Sequence, residues 1–193
     1  MPFDPALRSP AGAQDAADAR PCRLSEFEIR PIRPSDAALI VAAMCYTSPE
    51  TYYRRFHMAK RQFTSAELKY LTEVDGQMHV ALVAVQRGEQ PLLAAVARYA
   101  ALPSNPLEAE LAICVHDPFR RRGLGATMLR RLHDEASLRG VRRLRAIVQY
   151  DNLAMRELLY RVLQGTRVDS RDSGEVQYVS PVAPAAAPAM RAA

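Results

Sequence analysis

Lysine is nearly absent from this chain of 193 residues: Lys60 and Lys69 are the two it has, so a total of 26 basic residues is almost wholly arginine. Set against 21 acidic residues, they leave a net charge of +5. Arginine presents a planar fork of donors that matches phosphate and carboxylate. A surplus of this size points to anionic ligands without singling out nucleic acid. Cysteine is scarce as well: Cys22, Cys45 and Cys114 are odd in number and far apart, with no CxxC pair and no histidine cluster beside them. That excludes a disulfide framework and a structural zinc site, and no metal is expected. No apolar run approaches the roughly 20 residues of a membrane span. The N-terminus, with Asp4, Asp15 and Asp18, lacks the basic and apolar regions of a signal peptide, so a cytoplasmic protein is expected. There is no internal repeat.

What is present is the balance of a soluble globular protein: 49% hydrophobic, 24% charged and 7% aromatic residues, enough for one domain with appendages. Residues 1–24, with Pro2, Pro5, Pro10 and Pro21 among Ala and Asp, predict a flexible leader, and Pro181, Pro184 and Pro188 among alanines predict a loose tail over 181–193. The folded unit is then 25–180. Phe27 to Ile32 alternates apolar and polar residues as a half-buried strand, placed at an edge by Pro31. Ser35-Asp36 predicts the cap of a helix through Met44, Pro49 opens another carrying Tyr52, Tyr53 and Phe56, and Ser65 to Leu71 a third. Met78–Val85 and Leu92–Tyr99 predict a hairpin turning at Gly88, and Glu108–Val115 a further strand. Leu124, Met128, Leu129, Leu132 and Ala136 mark a helix by spacing, Leu144–Tyr150 a strand, Asn152 the cap of a last helix and Glu175–Val179 a last strand. The pattern predicts an α/β protein with a mixed sheet and helices on both faces.

Between the strand ending at Val115 and the helix of Leu124 stands Asp117-Pro118-Phe119-Arg120-Arg121-Arg122-Gly123-Leu124-Gly125-Ala126. A strand, a glycine loop and a helix N-terminus make an anion site, because the first helical N–H groups are unpaired and glycine lets the backbone approach a ligand. The alternative is a tight turn with solvated arginines. A nucleotide P-loop is excluded, since Gly125 is followed by Ala126-Thr127 and not by Lys and Ser or Thr; a dinucleotide fingerprint is excluded because the loop has two glycines.

Arg120-Arg121-Arg122-Gly123-Leu124-Gly125 resembles the coenzyme A signature Gln/Arg-x-x-Gly-x-Gly/Ala of the GNAT superfamily of N-acetyltransferases, and Ile29-Arg30-Pro31-Ile32-Arg33-Pro34-Ser35-Asp36 resembles that family's first strand and helix. Ser48-Pro49-Glu50-Thr51-Tyr52-Tyr53-Arg54-Arg55-Phe56, Ala81 to Val85 and Ala109-Glu110-Leu111-Ala112-Ile113 are similar to segments of the Pat-type bacterial protein lysine acetyltransferases. The resemblance covers the folded unit. It implies a central, mostly antiparallel sheet flanked by helices, and acetyl-CoA as acyl donor. The backbone of Ile113, Cys114 and Val115 would pair with the pantetheine arm. Arg121, Arg122, Gly123, Leu124, Gly125 and Ala126 would hold the pyrophosphate, Arg120 also belongs to the coenzyme site, and Asn152 heads the family's last coenzyme-contacting segment. Glu110 takes the place of the general base, which an amine of pKa near 10.4 needs before it can attack a thioester; an ion pair at a strand end is the other reading.

Glu108 is the reserve base, while Cys114 as an acetyl-carrying nucleophile and His116 as a base compete with ordinary packing roles. The family's thiolate-protonating tyrosine would fall at Leu159, so Tyr160, turned by about 100 degrees on a helix, is a poor match and packing is its better role. Tyr52, Tyr53 and Phe56 line either the acceptor cleft or the core. The expected activity is direct transfer of acetyl to a primary amine, with a protein lysine as preferred acceptor. A small-molecule amine stands as the alternative within that chemistry. A non-catalytic acetyl-CoA sensor or arginine-based nucleic-acid binder stands outside it, although the basic region around Arg120–Arg122 lacks interleaved aromatics and no nucleic acid is expected. The acceptor, acyl preference and oligomeric state are left open by the residues.

Overall fold

Apolar and polar residues alternate along the first ordered stretch, and in the computed structural model, which describes residues 24–58 and 62–184, it forms β1 (Phe27–Pro31). β1 pairs antiparallel with β2 (His79–Gln86) at the sheet edge, where Pro31 lacks no needed donor. β2 is buried along most of its length and turns through Gly88 into β3 (Leu92–Leu102), which pairs in turn with β4 (Asn105–Val115). β5 (Arg143–Gln149) joins β4 in parallel, and β7 (Glu175–Pro181) lies antiparallel between β5 and β6 (Arg167–Asp172). The sheet order is β1-β2-β3-β4-β5-β7-β6, mostly antiparallel.

Helices cover both faces. α4 (Leu124–Leu138) buries Leu124, Met128, Leu129, Leu132 and Ala136 against one face, joined there by Leu159 of α5 (Leu153–Val162). These side chains recur at three and four residues and form one apolar stripe. On the opposite face α1 (Ala37–Ala43) places Ile40 and Ala43, and α3 (Ser65–Thr72) places Leu71, over Ala81, Val83 and Val85. α2 (Pro49–Phe56) packs on β4 from the same side. Ser48 caps it, its Oγ accepting from Thr51 N at 3.3 Å.

Two expectations need correction. Ser35-Asp36 does not cap α1: Asp36 is buried and its carboxylate turns back to accept from Arg33 N at 2.8 Å and from the Arg30 guanidinium at 2.7 Å. Burial alone would push its pKa up, but these donors hold it below the usual carboxylate range. β6 was not foreseen, because Arg167-Val168-Asp169-Ser170-Arg171-Asp172 is largely polar and exposed and is ordered by its pairing with β7. Residues 1–23 of the expected leader and 185–193 of the expected tail lie outside the described residues. Of the tail, Pro181 pairs with Arg143 and Val182 is buried. Among the described residues no helix is long and apolar enough to cross a membrane.

Candidate active site

The parallel ladder between β4 and β5 runs through Glu108–Arg143, Ala109–Leu144 and Glu110–Arg145 and stops there. Beyond Glu110 the two strands diverge. Ile113, Cys114 and Val115 of β4 then face Ile147 and Val148 of β5 across a cleft of about 1140 Å³, walled at the sides by α2 and α5. β3 pairs with β4 as far as Val115 on its other side, so β4 enters the cleft with its β5-facing edge unladdered. An extended edge of this kind offers N–H and C=O groups to a ligand.

The far end of the cleft is the arginine-glycine loop. After Val115 the chain makes a short turn at Asp117–Phe119, passes Arg121 at φ 58 and Gly123 at φ 79, and enters α4. The left-handed Gly123 aims the first turn of α4 back at the cleft, a conformation that glycine takes without the Cβ clash. The helical ladder starts with Thr127 N donating to Gly123 O at 3.2 Å, so the amides before it point ahead of the helix. Gly125 lies against both walls: a Cβ there would meet Leu158 Cδ2 at 3.4 Å and Val115 Cγ2 at 3.5 Å. Arg120 is braced by Asp117 at 3.0 Å, by Val115 O and by the Thr51 hydroxyl.

Of the residues expected to hold a coenzyme, Ile113, Cys114, Val115, Arg120 and Arg121 line the cleft, as do Gly123, Gly125, Ala126 and Asn152. Leu124 is 1% exposed, with its side chain in the core, and is not part of the cleft lining. Arg122 stands off the cleft wall. Asn152 caps α5, its Oδ1 accepting from Met155 N at 3.2 Å.

Glu110 is exposed and sits on the last rung of the ladder, where the cleft begins. Glu108, two residues earlier, is 4% exposed and held by Asn105 and by the guanidiniums of Arg143 and Arg145. Burial pushes its pKa up, yet the two arginines outweigh it and hold the carboxyl below its usual range. Glu108 is therefore a structural clamp and not a reserve base. His116 is buried with Nδ1 2.7 Å from Thr47 Oγ1. That hydroxyl donates to Ala43 O, so it must accept from the imidazole, whose Nδ1 carries the proton. Burial pushes the His116 pKa down to about 4, and its neutral ring ties Thr47, in the connection between α1 and α2, to the end of β4. Burial raises the Cys114 thiol to about 11, which keeps it protonated at neutral pH. Tyr160 is 52% exposed and stands edge-on to Tyr178, outside the cleft lining, while Leu159 is fully buried. The aromatic trio divides: Phe56 lines the cleft, Tyr52 stacks beneath it with centroids 6.1 Å apart, and Tyr53 is exposed.

The C-terminal end of α2 supplies residues that sequence reasoning did not single out. Arg55 lines the cleft, His57 at φ 56 contacts Glu175 at the start of β7, and Arg54 lies 3.6 Å from Asp151 after β5. The signal for Arg55 is its spacing of four from Thr51, which also lines the cleft.

The model of the acetyltransferase (GNAT) family matches residues 42–163. The chain is 35% identical over 136 residues to the acetyltransferase Pat of Mycolicibacterium smegmatis, an overlap of 70% of this chain and 40% of that protein. It thus spans well under half of that relative. An acetyltransferase of Pseudomonas aeruginosa is 30% identical over 131 residues, 67% of this chain and 70% of its own length. Among solved structures, the GNAT domain of S. lividans PAT superposes with a TM-score of 0.72 at 27% identity, covering 80% of this chain and 90% of that one.

Proposed function

The chain belongs to the acetyltransferase (GNAT) family, and on that footing we propose that it transfers the acetyl group of acetyl-CoA directly to a primary amine, a protein lysine side chain, with Glu110 as general base. The observation that carries this reading is the fork: the cleft opens between β4 and β5 at Glu110 and ends at the amides and arginines of the α4 N-terminus.

The residues fit acetyl-CoA. The amides ahead of Thr127, the positive end of α4 and the guanidiniums of Arg120 and Arg121 suit a pyrophosphate. The free edge of β4 at Ile113, Cys114 and Val115 suits the amide units of a pantetheine arm. Bound acetyl-CoA supplies an activated acetyl: the amine nitrogen forms the new C–N bond, the C–S bond breaks, and the sulfur leaves with its electron pair and ends as a thiol by taking up a proton. Glu110 removes a proton from the incoming ammonium, directly or through water, and backbone N–H groups at the fork polarise the reacting carbonyl. Holding both reactants in one cleft supplies the remainder through proximity.

Calorimetric titration with acetyl-CoA tests the reading. Micromolar binding is expected for the native protein and its loss for Gly123→Glu, which strains the left-handed turn and puts a carboxylate before the phosphate site. Acetylation of lysine peptides, followed by mass, tests the acceptor. No binding to either protein would sink the proposal.

A further inference from the structure

Arg55 is the one half-buried cation on the α2 wall of the cleft for which the described residues provide no hydrogen-bond or ion-pair partner. Four other half-buried arginines each hold a carboxylate: Arg30 holds Asp36, Arg54 holds Glu50, Arg139 holds Glu135 and Arg145 holds Glu108; Arg156 donates to Tyr150 O, and Arg122 stands off the cleft wall. The Arg55 guanidinium instead lies over the Phe56 ring, 4.8 Å from its centroid, and faces the side of β4 that carries Glu110 and Cys114. Glu110 is near enough to be felt but does not pair with it. A second guanidinium, Arg98 on β3, is also near: the charge of Arg55 helps depress its pKa, burial being the larger cause, to about 10. Burial likewise pushes the pKa of Arg55 down.

An unpaired, partly desolvated guanidinium is costly unless an anion completes it. Its planar fork is built for a bidentate carboxylate. The phosphate end of the cleft has its own arginines at 120 and 121, so a pyrophosphate placed there leaves Arg55 unserved. Beside the fork, a lone positive charge would repel an ammonium approaching Glu110, unless the acceptor brings a compensating negative charge.

Building on the acetyltransferase reading above, we propose that Arg55 is the specificity residue of the acceptor site and recognises a carboxylate carried next to the reacting amine. Two sources share that chemistry: an acidic side chain neighbouring a protein lysine, and the α-carboxylate of a free amino acid.

Steady-state acetylation of matched acceptors distinguishes them. One pair is a peptide with glutamate beside its lysine and the same peptide with glutamine; the other is free lysine and lysinamide. The native protein should prefer the carboxylate member of one pair at least tenfold in kcat/KM, mostly through KM, and the pair that shows it names the source. Arg55→Gln should erase the preference by weakening the carboxylate acceptor alone, with acetyl-CoA affinity unchanged as the check on folding. Arg55→Lys should retain part of it. An absent preference, or an equal loss on both members of a pair, overturns the proposal. If no amine is acetylated, the acetyltransferase reading fails, and calorimetric binding of the same acceptors still decides on Arg55. Carboxylate-dependent binding lost in Arg55→Gln supports it; binding to neither protein overturns it.

Discussion

Glu108 and Glu110 project from the same side of β4, yet their surroundings are opposite, because the sheet closes over the first and opens at the second. Replacing Glu110 by Gln should lower kcat by about 10²–10⁴-fold, the span of general-base contributions, and leave acetyl-CoA affinity unchanged. Stopped assays of product formation beside calorimetry would separate the two effects. His116 carries a different consequence. Its pKa of about 4 lies below the ordinary value near 6.5, so the folded state favours the neutral ring. The stabilisation is complete above pH 6.5 and is lost as pH falls toward 4, amounting to on the order of 3 kcal/mol. Urea midpoints measured between pH 7.5 and 4.5 should show this slope, and His116→Asn, which keeps a donor for Thr47 without titrating, should flatten it. The protonation of His116 could not be read from the chain, because it depends on a hydroxyl 69 residues away.

At the level of elements, the N-terminus of α2 is clasped to the arginine-glycine loop. The Asp117 carboxylate accepts from Ser48 N at 2.6 Å and from the Thr51 hydroxyl at 2.9 Å, and the same residue braces Arg120. Burial would raise its pKa, but these donors hold it below the usual range. Asp117→Ala should cost about 1.5–3 kcal/mol, the worth of hydrogen bonds to a charged group, and weaken acetyl-CoA binding by loosening Arg120. Thermal melts with and without acetyl-CoA would show both. Most elements were legible from the chain because local signals agreed with the final packing: Pro49 does open α2, Asn152 does cap α5, and the apolar stripe of α4 does face the sheet. β6 was not legible, since its polar residues carry no alternation and its order comes from a neighbour. The arginine-glycine loop was legible as a strand-to-helix turn because glycine, arginine and helix start are contiguous. Arg55 was not, since its significance lies in what the opposite wall fails to offer it.

Across the whole molecule, β1 to β4 and β5, β7 and β6 form two half-sheets joined by a short ladder at Glu108 to Glu110. The joint is reinforced by contacts between α4 and α5. Opening of the second half should therefore require less free energy than global unfolding. Amide hydrogen exchange should be faster in β5 and β7 than in β2 and β3, and acetyl-CoA should slow the former more, because a ligand in the cleft touches both halves. Uniform exchange across the sheet would contradict this.

The clamp at Glu108 acquires its meaning from that split. A sheet that parts along one seam behaves like a plate with a notch, and stress gathers where the notch ends. Arg143 and Arg145 grip one carboxylate from the β5 side just behind that tip, with Asn105 holding it from β4's own side, so the carboxylate works as a rivet that arrests the tear. The gap can then gape for a ligand at one end while the other end stays shut.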